Sequence, residues 1–279
     1  MLQTQRTGIS GTALKLLALV LMLLDHIHYF FEFTGAIPLW FTIAGRLAAP
    51  LFLFCTVEGF AHTHDRRRYF LRILLISAGM GLLEFFMQFG GVLNRGDGFV
   101  PRNAIFMDFV LLCAVWQGID WLRARRWLRG IGVIALVLAW PFAAAFLSGI
   151  GFAAPVGLLC YTLFPAWSII TDGGWAFLFG GVLLYLLRDN RKCQLMLWAA
   201  WTFLTDGVLT YLIARGTPGF TPSMMLTDYL EWFGVFAVVF MALYNGTRGR
   251  GFKQLFYWFY PAHVYILYGL SCVAYNLMR

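Results

Sequence analysis

The chain has 279 residues, of which 61% are hydrophobic, 18% aromatic and only 12% charged, with a mean hydropathy of +0.73. An ordinary soluble domain carries roughly 25% charged residues, so a soluble globular fold, a disordered chain, a collagen, a coiled coil and a disulfide-stapled secreted domain are all excluded. The net charge of +8 is not a nucleic-acid footprint, because the basic residues sit in short clusters between apolar runs and not on one exposed face.

Those clusters are Arg66–Arg68 with Arg72; Arg123, Arg125, Arg126 and Arg129; Arg188, Arg191 and Lys192; and Arg248, Arg250 and Lys253. Together with Arg6 and Lys15 they read as a positive-inside pattern, with the N-terminus in the cytoplasm and anionic lipid at the basic ends. The apolar runs are long and lack a period of two, which selects helices over a barrel. About 20 apolar residues are needed per crossing.

In chain order the expected spans are 12–33, 39–61, 70–90 and 104–122, with a Gly/Asn/Asp/Pro-rich loop at 90–103. The first carries Asp25, His26 and His28 and reads as a retained helix, not a cleaved signal. Between Arg129 and Arg188 three apolar segments can be drawn, 130–149, 152–170 and 174–187. Both flanks should be cytoplasmic, so two of them cross and one is re-entrant or interfacial. Pro141, Pro155 and Pro165 supply the breaks. Spans at 193–213, 225–244 and 255–276 complete an all-α, polytopic transmembrane bundle of about nine spans plus one short segment, organised as a single membrane domain over 1–279. The five cysteines lie in or beside apolar runs without a C-x-x-C spacing, so buried thiols are expected and no metal site.

Ionisable side chains inside a bilayer cost at least about 2.5–3.5 kcal/mol each and mark functional positions. Asp25 and Arg46 fall at similar depth on consecutive helices, which predicts an Asp25–Arg46 ion pair beside His26. Asp25 and His26 are about 100° apart around one helix, so a carboxylate from elsewhere could orient the ring; Asp108 and Asp206 lie at comparable depth. A second polar layer contains Glu58 and His263, the latter after the aromatic run Phe256–Tyr260 and Pro261. Tyr257 and Tyr260 fit either an interfacial aromatic belt or a ligand entrance. These features alone allow an enzyme or a transporter.

Four stretches together resemble the TraX family of bacterial inner-membrane proteins: Leu21–Ile27 with Asp25-His26; Gly45–Phe52 followed by Glu58-Gly59-Phe60 and Arg66–Tyr69; Tyr244-Asn245-Gly246 with Arg248-Gly249-Arg250; and Phe256–His263. Asp172-Gly173-Gly174 is a weaker match, and the stretch 130–171 is longer than the family pattern by one apolar segment. The resemblance implies a multi-pass inner-membrane acetyltransferase. It would take acetyl from acetyl-CoA and pass it to an acceptor such as the N-terminal amine of pilin, or to a membrane-associated glycan or lipid. On this reading His26 is the general base, with His263 as its rival. Asp25 orients His26 or neutralises Arg46, and Arg46 faces the oxyanion or the acceptor's carboxyl group. Arg66, Arg67, Arg68, Tyr69 and Arg72, with Glu58, Tyr257 and Tyr260, would form the donor site. No metal is needed and no nucleic acid is a partner. The alternatives are a secondary transporter, for which no internal repeat is visible, and a non-catalytic pilus assembly factor.

Overall fold

A computed structural model describes residues 8–168 and 172–278. Arg6, Arg279 and the end of the 152–170 segment lie outside the described residues. The described chain is helical, with one isolated bridge between Ile9 and Tyr244. Among the described residues, seven helical stretches are long and apolar enough to cross a membrane: Gly11–Thr34, Trp40–His62, Arg66–Gly90, Ile105–Arg123, Trp127–Thr162, Arg191–Ala214 and Pro222–Ala242. The shorter Gly174–Leu186 and the aromatic-rich 25-residue Lys253–Leu277 accompany them. The protein is a multi-pass, all-α membrane protein.

Its contacts gather into two units that alternate along the chain. Unit 1 comprises Met1–Gly59 and Leu186–His263; unit 2 comprises Phe60–Tyr185 and Val264–Arg279.

In unit 1, helix α1 (Gly11–Phe31) is capped by Ser10, whose hydroxyl accepts from the Ala13 N–H, and it stops through a 3₁₀ turn at Gly35, φ 65°. It packs on α2 (Trp40–Gly45). The approach is so close that a Cβ on Gly45 would overlap the Asp25 side chain. Pro50 has no N–H to give the Arg46 carbonyl, so the helix is interrupted at Arg46–Leu47 before α3 (Ala48–His62). Helix α9 (Arg191–Thr202) widens into a π-helical segment at Phe203–Leu209, which carries Asp206, before α10 (Thr210–Ala214). A 3₁₀ segment, Glu231–Phe236, and α11 (Ala237–Ala242) pack on α9. The first part of α12 (Lys253–Leu277) completes the unit.

In unit 2, α4 (Arg66–Gly90), α5 (Ile105–Arg123) and α6 (Trp127–Leu147) pack in sequence. The stretch 127–162 would reach about 54 Å if straight, far beyond a hydrocarbon core of about 30 Å. It breaks at Ile150–Gly151, where Gly151 adopts φ 104°. Helix α7 (Ala153–Thr162) therefore folds back against α4, and a Cβ on Gly81 would overlap the Tyr161 carbonyl. The returning chain reaches α6 again through a 3.4 Å hydrogen bond from the Trp167 indole to the Leu138 carbonyl. Helix α8 (Gly174–Leu186) meets α5 through the Trp116 indole, which donates to the Gly181 carbonyl at 3.1 Å and stacks on Tyr185. Their N-termini cap each other: Asp172 accepts from the Ala104 N–H at 3.1 Å, and Asp108 accepts from the Gly173 N–H at 3.2 Å. Thus α6 is the long apolar helix of this region, and α7 and α8, about 15 and 20 Å long, are its two shorter segments.

Candidate functional site

His26 is on α1 and His263 on α12, 237 residues apart, and both belong to unit 1. The two residues are only 8% and 6% exposed. Nδ1 of His26 lies 2.6 Å from Nε2 of His263, and the ring planes are within 8° of each other. Nδ1 of His263 lies 2.8 Å from the Phe259 carbonyl one helical turn earlier.

That last contact fixes the proton pattern, because a carbonyl only accepts. His263 Nδ1 therefore carries the hydrogen and donates to Phe259. In the neutral ring its Nε2 is then the acceptor, so His26 Nδ1 donates to it. His26 is left with its lone pair on Nε2. Aromatic rings hold this relay in place. Phe259 lies over His263 at 4.9 Å and 16°, and Phe30 and Tyr260 meet His26 edge-on at 6.0 and 6.2 Å.

The charged shell differs from the sequence expectation. Asp25 and Arg46 do not form an ion pair among the described contacts; Arg46 faces Glu231, with Nη1 3.9 Å from the carboxylate. The reason is rotational. Gly45, not Arg46, is the α2 residue that abuts Asp25, and position 46 lies about 100° further around the helix. The Arg46 charge still acts on both Asp25 and His26, and its Nε is buried with no hydrogen-bond partner. Asp206 and Glu231 act on one another electrostatically, so three carboxylates and one guanidinium share this region of unit 1.

The residues expected at a donor site fall in both units. In unit 1, Glu58 is bound by Arg191 at 2.9 Å, and that guanidinium lies 4.5 Å over Phe54 and 5.4 Å over Tyr244. Tyr260 is buried against His26, and Tyr257 is half-buried. In unit 2, Arg66 is committed to Asp120 at 2.6 Å, and Asp120 also accepts from the Tyr185 hydroxyl at 2.7 Å. Arg68 pairs with Asp65 at 2.9 Å. Arg67 and Arg72 are exposed, and Tyr69 packs against Phe60. Among the described residues, no group of three or more His, Cys, Asp or Glu is arranged to hold a metal.

Three contributors escaped sequence reasoning: the Phe259 carbonyl, Glu231 as the partner of Arg46, and Asp120 as the partner of Arg66. The first had a signal, since Phe259 and His263 are i and i+4 on one helix. The others depend on where a broken helix turns its side chains.

The match to known families now bears on this geometry. The family profile described as "TraX protein" matches residues 10–271. The chain belongs to the TraX family. One relative is 26% identical over 267 residues, covering 92% of this chain and 94% of its own: the "Probable fimbrial assembly protein FimC, serogroup H1" of Dichelobacter nodosus. No solved structure matches the chain.

Proposed function

We propose that the protein is a membrane-embedded acetyltransferase that moves acetyl from acetyl-CoA to an acceptor amine or hydroxyl, with the N-terminal amine of pilin as the leading acceptor and a membrane-associated glycan or lipid as the other. It would act in the bacterial inner membrane with its N-terminus in the cytoplasm, as the basic clusters imply. The observation that carries this reading is the relay from the Phe259 carbonyl through His263 to His26, which leaves one basic nitrogen on a buried, oriented ring.

The chemistry balances on that nitrogen. His26 Nε2 takes a proton from the acceptor as its N or O attacks the thioester carbonyl carbon. The carbonyl oxygen becomes the oxyanion, and Arg46 is the cation whose field reaches His26. Collapse breaks the C–S bond, and the departing CoA thiolate takes the proton from His26. The products are the acetylated acceptor and CoA thiol, with His26 restored. His263 touches neither substrate. It holds the tautomer of His26 and shares the charge of the transient imidazolium, which makes it a positioning residue. Donor phosphates would meet the basic ends of the helices.

The relative's name as a fimbrial assembly protein favours a second reading, a scaffold that holds pilin without acetylating it. Labelled acetyl transfer to pilin in membranes supplied with acetyl-CoA separates the two. Incorporation lost in His26→Ala at equal protein level supports the enzyme. Assembly that proceeds unchanged in His26→Ala, without any incorporation in the wild type, supports the scaffold.

A further inference from the structure

The loop Asn245–Gly251, which joins α11 to α12, has no role in the relay. Its backbone is laid along the start of α1. The N–H groups of Gly11 and Thr12 donate to the carbonyls of Thr247 and Arg248 at 2.8 and 3.0 Å. The Thr12 hydroxyl lies 2.8 and 2.6 Å from the carbonyls of Arg248 and Arg250. Ile9 and Asn245 add a two-way backbone link, Ile9 N–H to Leu243 and Asn245 N–H to Ile9. Gly249 sits at φ 74°, and a Cβ there would come to 2.5 Å from the Ser10 hydroxyl.

This arrangement has a chemical consequence. Carbonyls are the loop's anion-repelling groups, and three of them are turned inward and used. What faces outward is Arg248 and Arg250, both exposed and neither paired with a carboxylate among the described residues. Arg66 and Arg68, by contrast, already have their carboxylates. The seating against α1 also fixes the loop in advance, which lowers the ordering cost of binding. Lys15 lies one turn further along α1, its ammonium 5.8 Å from the centre of the Phe256 ring. From Thr12 to His26 the same helix rises about 21 Å, the kind of gap that an extended phosphopantetheine arm bridges.

Resting on the acetyl-CoA reading above, we propose that this loop is the phosphate-binding strap for the CoA donor, with Arg248 and Arg250 as its ligands. Guanidinium groups suit phosphate oxygens through paired, charge-assisted hydrogen bonds. The strap belongs to the same unit as the histidine relay, and it sits at the foot of the helix that carries His26.

The test is binding of CoA and of pantetheine, which lacks the phosphates, to the full chain in discs of pure phosphatidylcholine. Wild type should prefer CoA. Arg248→Ala/Arg250→Ala should weaken CoA by at least about tenfold and leave pantetheine unchanged. Arg248→Lys/Arg250→Lys should recover part of the loss, which excludes a folding defect. Arg67→Ala/Arg72→Ala should stay within about twofold of wild type. Unchanged CoA binding in the Arg248/Arg250 alanine variant, or a loss carried by Arg67/Arg72 instead, overturns the strap and leaves the acetyltransferase reading standing. If the alanine variant instead loses only its enrichment of phosphatidylglycerol in mixed discs, the strap serves lipid headgroups and the proposal falls. Wild type that binds no CoA overturns the acetyl-CoA reading itself.

Discussion

In unit 2 the buried guanidinium of Arg95 is bound twice by Asp97, at 3.0 and 2.8 Å, lies 4.2 Å over the ring of Phe99 and reaches Ser271. Asp120 is likewise held by Arg66 and Tyr185. Arg95 and Asp120 each have a fixed opposite charge and a second hydrogen bond. In unit 1 the polar centre is two imidazoles joined by one shared proton, beside an arginine whose Nε has no partner and whose carboxylate is 3.9 Å away. Saturated networks of fixed charge make rigid joints. A ring pair whose protons can shift makes a site for proton transfer. Substitutions in the two units should therefore separate into losses of chemistry and losses of stability.

The largest effect is expected at His26. His26→Ala should lower acetyl transfer by about 10²–10⁴-fold, the usual range for a general base, with unchanged elution and thermal midpoint in detergent. Retention of most of the activity would remove His26 from the site and equate the two polar centres.

His263 comes next, and it sharpens the comparison inside the pair. His263→Ala leaves the base but frees its tautomer, so a loss of about 10–100-fold is expected, in the turnover rate more than in KM. The pH–rate profile should also change shape, which a purely structural role would not produce. A loss as large as that of His26→Ala, with no change in profile, would make His263 the base.

How far these assignments were legible depends on what sets them. The helices are visible as apolar runs, and the three segments drawn over 130–187 correspond to α6, α7 and α8. That His26 and His263 are ionisable rings within apolar helices could be read from the sequence. That they touch could not, because packing sets a contact over 237 residues. The Asp25–Arg46 expectation assumed that equal depth means contact. Helix phase decides instead: Gly45 holds the face against Asp25, and the break before Pro50 turns Arg46 to Glu231. Likewise, the arginines after α3 read as one free basic cluster, although Asp120 and Asp65 had already claimed two of them.

In unit 2, Asp120→Ala should leave Arg66 without its carboxylate and lower stability by about 1–3 kcal/mol. That is less than the 3–5 kcal/mol of a fully buried pair, because the Arg66 side chain is 32% exposed. Thermal unfolding in detergent reads this directly, and the turnover rate measured below the midpoint should match wild type. A fall in turnover with no shift in the midpoint would give Arg66–Asp120 a part in the chemistry.

The smallest effect is a pH dependence at the Arg95–Asp97 joint. Hydrogen bonding from Arg95 holds the Asp97 carboxyl below its ordinary range, and the Phe99 N–H adds to this. A carboxyl whose folded value is depressed binds its proton more readily in the unfolded chain, near pH 3.9. Its stabilisation is therefore complete above that pH and drains away as the pH falls through the lower folded value. The stability difference between wild type and Asp97→Asn should be flat at neutral pH and close only below about pH 4. A difference that already closes near neutrality would show that Arg95 does not hold the Asp97 carboxylate and would remove this joint from the comparison.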